Sequence, residues 1–284
     1  VRNLLTILVA LVCLWGTALM ADGFALEFNG TNSYAWAPDS ASLDLSTGMT
    51  IEAWVWSDTT VGAHVIASKW NDSTRQWSYI FKDHNSSDAL RIELSQGGHS
   101  DLANLEGATS IATGEWVHVA ATFDGSEVQL YYNGVLDSTQ AVSGTINDSN
   151  SIFMVGAVNG WSGLESFNGL IDEVRVWNYA RSEAEIQSTM NAGLSGSEGG
   201  LVAYYNFDEV LDQVARDLSG FGNDLTLGAT AGVDANDPTW VLSTAPVSSA
   251  PAAPVPEPCT LALLGLGVIG LGLFNRNRRI PCVK

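Results

Sequence analysis

The fold class predicted is all-β, a two-sheet antiparallel sandwich with one short helix, and three observations carry it. Segments of roughly five to eight residues alternate apolar and polar side chains, the period of a half-buried strand. Gly, Asn, Asp and Ser punctuate them, as tight turns require. A capping box, Ser182-Glu-Ala-Glu185, marks the one helix expected, with Ile186 and Met190 on a shared face.

In chain order, the first strands are expected at Phe24–Phe28 and Tyr34–Ala37. Thr50–Trp56 alternates, with Ile51, Ala53 and Val55 on one face and Glu52, Trp54 and Trp56 on the other. His64–Lys69, Ser78–Lys82 and Leu90–Ser95 follow. Trp116–Phe123 closes on Asp124-Gly125. Val128, Leu130 and Tyr132 then alternate up to Asn133-Gly134, a dipeptide that favours a type I′ hairpin. Ile152–Gly156, Leu170–Trp177 and Leu201–Phe207 complete the set, and no internal repeat is evident. More than ten strands joined by short turns suit two packed sheets.

Both ends differ from this body. Arg2 and Asn3 precede an apolar run from Leu4 to Met20, the pattern of a secretory signal peptide over residues 1–21. Residues 245–255, rich in Pro, Ala and Ser, read as an extended linker after a domain at 22–244. The last segment, 256–284, opens on Pro256-Glu257-Pro258. Sixteen uncharged residues follow (Cys259 to Phe274), then a cluster containing Arg276, Arg278 and Arg279. Sixteen residues reach about 24 Å as a helix, the short limit for a bilayer span. The triplet, short span and arginines resemble the PEP-CTERM sorting signal of Gram-negative bacteria that secrete exopolysaccharide. That resemblance implies a transmembrane sorting helix, recognition by an exosortase at the inner membrane, and export to the cell surface or beyond.

Residues 22–255 hold 30 Asp and Glu against 7 Lys and Arg, a net charge of −23. Such a surface disfavours nucleic acid and anionic membranes, and suits divalent cations or neutral polymers. The three cysteines, Cys13, Cys259 and Cys282, all lie in the end segments, so the domain is expected to hold by packing alone.

Four segments resemble the LamG-like jelly roll of the concanavalin A-like lectin/glucanase superfamily. They are Ala25–Tyr34 with Met49–Trp56, Gly114–Gly125 with its hairpin Leu130–Gly134, Phe167–Asn178 with the Ser182 helix, and Leu201–Asp208 with Asp217–Asp224. Together they run through most of residues 24–242 in the family's order. The fold hosts lectins, adhesion modules, glycosidases and spacers, so it leaves function open.

Asp172 stands out chemically. Within Leu170–Trp177 it shares a face with Leu170, Val174 and Val176, the face expected to pack inward. A buried carboxylate needs a partner. The resemblance implies a structural calcium there, with Asn29 and Gly30 in the matching turn. The alternative is that Asp172 accepts backbone N–H bonds without metal. A weaker cation candidate is the loop with Asp217 and Asn223, which also reads as a plain turn.

Sugars stack their C–H faces on aromatic rings. Trp70 and Trp161 lie among turn-forming residues and, with Trp77 at a strand border, are the candidates for ligand contact; packing under a loop is the alternative. No Glu-x-Asp-x-Glu strand of a glucanase occurs, nor a His-Glu-x-x-His or Gly-x-Ser-x-Gly motif. The expectation is a non-catalytic exported protein that binds carbohydrate or another surface ligand. A structural matrix component without a discrete ligand, or a polysaccharide hydrolase or lyase, are the alternatives.

Overall fold

The computed structural model describes residues 23–248, except 60–61, 85, 161–162 and 210–212. The expected signal peptide at 1–21, most of the linker and the sorting segment at 256–284 lie outside the described residues.

The strands are β1 (Phe24–Asn29), β2 (Ala35–Ala37), β3 (Met49–Ser57), β4 (Val65–Asn71), β5 (Gln76–Asp83), β6 (Ala89–Leu94), β7 (Ala103–Ser110), β8 (Trp116–Phe123) and β9 (Glu127–Tyr132). They continue with β10 (Val135–Ala141), β11 (Phe153–Val155), β12 (Ala157–Gly160), β13 (Gly163–Ser166) and β14 (Asn168–Trp177). After the helix α1 (Glu183–Thr189) come β15 (Leu201–Tyr205), β16 (Val214–Ala215), β17 (Leu225–Leu227) and β18 (Thr239–Leu242). One sheet runs β10-β9-β8-β3-β14-β1-β18, with β15 also on β14; the other runs β16-β17-β2-β11-β4-β5-β6-β7, with β12 and β13 beside β4. The long ladders are antiparallel.

The core lies between the two inner faces, where period-2 alternation places the apolar side chains. The first sheet contributes Leu26, Phe28, Ile51, Val55, Val119, Leu130, Ile171 and Val176. The second contributes Tyr79, Phe81, Leu90, Ile92, Leu94 and Phe153. Ile51, Ala53 and Val55 face inward as the alternation predicts.

Asp172 does not share the inward face with Val174 and Val176. A β-bulge lies between Asp172, opposite Trp54, and Arg175, opposite Glu52. Glu173 takes a left-handed φ of 53° there. The extra residue reverses the alternation, so Ile171 faces in before it and Val174 and Val176 face in after it. Asp172, Arg175 and Trp177 therefore point to the outer face of the first sheet.

That outer face is covered. Ser182 and Glu185 form the capping box of α1, as the motif predicts. Ile186 packs on Ala120 and Tyr131. Arg175 donates to the carbonyls of Thr189 (3.0 Å) and Ala192 (2.6 Å), supplying positive charge at the helix C-terminus. Arg181 lies 4.2 Å over the Trp177 ring and reaches Glu52. Burial works against the Glu52 charge, but the His118 hydrogen bond and the Arg175, His118 and Arg181 charges hold its carboxyl at about 2. Burial also pushes His118 down, against the Glu52 hydrogen bond and charge.

Candidate functional site

The outer face of the second sheet carries a different arrangement. Four residues, Asp72 to Arg75, turn β4 into β5, with Asn71 Oδ1 accepting from the Thr74 N–H at 3.1 Å. The hairpin sets Trp70 directly opposite Trp77. Both indoles donate Nε1–H to the same oxygen of Asp72, at 2.9 and 2.8 Å. His99, on the loop between β6 and β7, presents its ring edge-on at 5.3 Å from Trp70 and 5.6 Å from Trp77, with Nε2 3.5 Å from that Asp72 oxygen. Three rings thus converge on one carboxylate. Val65, Ile80 and Val158 complete an apolar floor with the indoles.

Beside this floor the alternation of β5 and β6 brings Lys82 opposite Arg91, and Ile80 opposite Glu93. In the next register Glu93 faces Asn104 and Arg91 faces Glu106. Lys82 Nζ lies 3.1 Å from Glu93 and 3.9 Å from Glu165, and Arg91 Nε lies 3.3 Å from Glu93. Ser100 Oγ also donates to Glu93. Burial opposes the Glu93 charge, yet Lys82, Ser100 and Arg91 bring its carboxyl below the usual range. Two adjoining recesses of about 240 and 530 Å³ share Lys82, Glu93, His99 and Glu165. The inner one has Trp70, Ile80 and Val158 at its base; the outer one adds His84, Arg91, Ser100 and Asn104.

Of the two readings of the candidate tryptophans, display and packing, Trp70 and Trp77 take the packed one. Trp70 belongs to β4 rather than a loop and is 2 % exposed, and Trp77 is 9 % exposed. They form the floor, whereas the ring a ligand can reach is His99, half exposed. Trp161 lies outside the described residues, as do Pro256, Glu257, Pro258, Arg276, Arg278 and Arg279. Lys82, Glu93, His99 and Glu165 were not singled out from sequence; the paired alternation Ile80/Lys82 and Arg91/Glu93 is the signal that points to the first two.

The residues proposed for calcium do not come together. Asn29 pairs with Asn168 on β14, four positions and about 13 Å of strand from Asp172. Asn29 Oδ1 instead accepts the N–H groups of Thr31, Asn32 and Ser33, and Gly30 donates to the Phe167 carbonyl. Asp172 accepts from the Glu173 N–H at 2.7 Å and from Ser243 Oγ at 2.5 Å. Burial pushes its carboxyl well up, and the Glu173 and Asp208 charges add to this against the Ser243 bond. This donor set does not fit a calcium held by Asp172, Asn29 and Gly30. In the second loop, Asp217 accepts from the N–H groups of Tyr204, Ser219 and Asn223, and the Asn223 amide donates to the Val202 carbonyl. These bonds lock a turn. Among the described residues, no three His, Cys, Asp or Glu side chains gather as a metal centre.

Comparison with known families places this architecture. The family model described as the concanavalin A-like lectin/glucanases superfamily matches residues 29–187, more than half of the chain. The chain belongs to the concanavalin A-like lectin/glucanases superfamily. The superfamily match runs from the last residue of β1 into α1 and so includes every strand of the groove. A second model, the PEP-CTERM protein-sorting motif, matches residues 254–279. A candidate carbohydrate-binding protein from Bacteroides ovatus has a similar solved structure, with a TM-score of 0.62 and 22% identity, covering 80% of this chain and 61% of that one. At that identity the likeness establishes the fold. Mouse pappalysin-1 is 32% identical over 112 residues, covering 38% of this chain and 7% of the relative. Human pappalysin-1 is 28% identical over 153 residues, covering 53% of this chain and 8% of the relative. The chain spans less than a tenth of the length of these curated relatives.

Proposed function

We propose that this superfamily member is a non-catalytic carbohydrate-binding protein, exported and processed by an exosortase, with its ligand site in the groove of the second sheet. The observation that carries the reading is the pairing of an apolar base with hydroxyl-matching polar groups. Trp70, Ile80 and Val158 lie beneath Lys82, Glu93, Ser100, Asn104 and Glu165. Pockets of this kind fix a small polar molecule by a few convergent hydrogen bonds over apolar contact area. The description of the Bacteroides ovatus protein supports the same reading, and the sorting motif supports a surface destination where an exopolysaccharide is the available polymer.

Catalysis is not part of the proposal. Glu93 and Glu165 flank Lys82, and Glu93 is held toward its charged form, so it does not supply the protonated acid that glycoside hydrolysis requires. One observation favours a structural matrix role instead: Trp70 and Trp77 are buried rather than displayed. A glycan array probed with the intact chain decides between them. Binding that falls on changing His99→Ala or Glu165→Ala supports the groove; no binding to any glycan sinks it in favour of the matrix role.

A further inference from the structure

Resting on that glycan-binding reading, we infer that the groove selects polysaccharides free of acidic groups. The inference comes from which charges a ligand meets and which are already taken. The Lys and Arg side chains of the groove, Lys82 and Arg91, both pair with Glu93, and its histidines, His84 and His99, lie beside Glu106 and Asp72. Their side chains are recessed, 15% and 19% exposed, whereas the Glu165 carboxylate, 3.9 Å from Lys82, is 39% exposed, and Glu106, opposite Arg91 on β7 and 3.3 Å from His84, is 40% exposed. Asp72 adds a further carboxylate at the base of the inner recess. The reachable charge is therefore negative.

An incoming uronate or sulfate would compete with Glu93 for Lys82 and Arg91. Glu93 is 5% exposed, and a carboxylate that far out of water is costly to leave without its partners. It would do so while approaching Glu165 and Glu106. The net charge of −19 opposes its approach before contact, over a screening length of about 8 Å at physiological salt. A neutral sugar meets none of these costs. Its hydroxyls both donate and accept, so Glu165 can receive from one hydroxyl while Asn104 and Ser100 serve others, with the existing ion pairs undisturbed. His99 gives such a ring an exposed aromatic edge above the indoles.

The experiment measures retention of the intact chain, in mild detergent at physiological ionic strength, on two panels of immobilised polysaccharide. One panel is neutral (glucan, mannan, galactan and xylan); the other is acidic (alginate, polygalacturonate and heparin). The expected result is retention by at least one neutral polymer, about tenfold or more tighter than by any acidic one. Stronger retention by an acidic polymer overturns the selection while leaving glycan binding intact. Retention by neither panel overturns both. A charge-reversed protein, Glu165→Lys with Glu106→Lys, keeps the Lys82–Glu93 pair. It is expected to gain about tenfold in affinity for alginate, and no gain would overturn the electrostatic account.

Discussion

The Glu52 carboxylate and the Arg181 guanidinium meet at 2.5 Å, with side-chain exposures of 0% and 3%. Glu52 also accepts from the Trp177 indole at 2.9 Å. One strand of the first sheet is thereby fastened to the segment that starts α1.

Replacing Glu52 by Gln leaves the guanidinium buried without its counter-charge. Breaking such a pair costs about 3 to 5 kcal/mol, measurable by urea unfolding. The pH dependence has a definite sign. The folded carboxyl sits at about 2, below its ordinary 4.5, so its stabilisation is present above pH 4.5 and is lost as pH falls towards 2. The gap between the natural protein and Glu52→Gln is expected to narrow through that window. A constant gap would show that the charge of Glu52 is not what matters.

Asp172 behaves oppositely. Its folded carboxyl is raised, so its contribution is present below the unfolded carboxylate range and is lost as pH rises through the folded value. Asp172→Asn keeps an acceptor for the Glu173 N–H, turns the Ser243 contact into one in which the amide donates to Oγ, and removes the titration. It is expected to melt at or above the natural protein at neutral pH, and chelator is expected to move neither melt. A chelator-dependent drop in the natural protein, absent in the variant, would instead assign a cation to Asp172.

Asp72 organises the three-ring cluster without contributing a ring. Asp72→Ala deprives both indoles of their acceptor, 2.9 and 2.8 Å away, and each orphaned buried N–H costs about 1 kcal/mol or more. Tryptophan fluorescence is expected to shift to the red as water reaches the rings, and glycan retention to fall further than stability does. Unchanged emission would mean that apolar packing alone sets the rings.

Gly156 has a left-handed φ of 78°, and a Cβ there would stand 2.1 Å from Phe28 Cε1. Gly156→Ala is expected to cost more than about 2 kcal/mol, through backbone strain together with overpacking of the core. A thermal melt within a degree or so of the natural protein would contradict this.

The strands with clean alternation were readable in advance. Trp116–Phe123 matches β8 residue for residue, and Ser182 caps α1. β7 escaped because Glu106, Gly107 and the exposed run to Ser110 blur its period. The bulge at Glu173 was invisible for a different reason. A non-glycine residue in left-handed backbone leaves no compositional mark, and one extra residue reverses every assignment beyond it. The groove was hidden because its members come from β4, β5, β6, β12, β13 and the loop carrying His99, so no local pattern unites them. Trp70 attracted attention as an aromatic residue among turn formers, but tertiary packing withdrew it from solvent.

β1 and β18 are neighbours, with Phe24 opposite Leu242. The polypeptide therefore enters at Phe24 beside its last strand and, past Leu242, is held again at Ser248, which bridges Ala192. Tension applied between those two points would part the cross-strand bonds one after another, since they lie perpendicular to the strands and share no load. The Ser248–Ala192 bridge would yield first and the β18 seam after it, and the second sheet on the far side of the core would keep its shape while they give way.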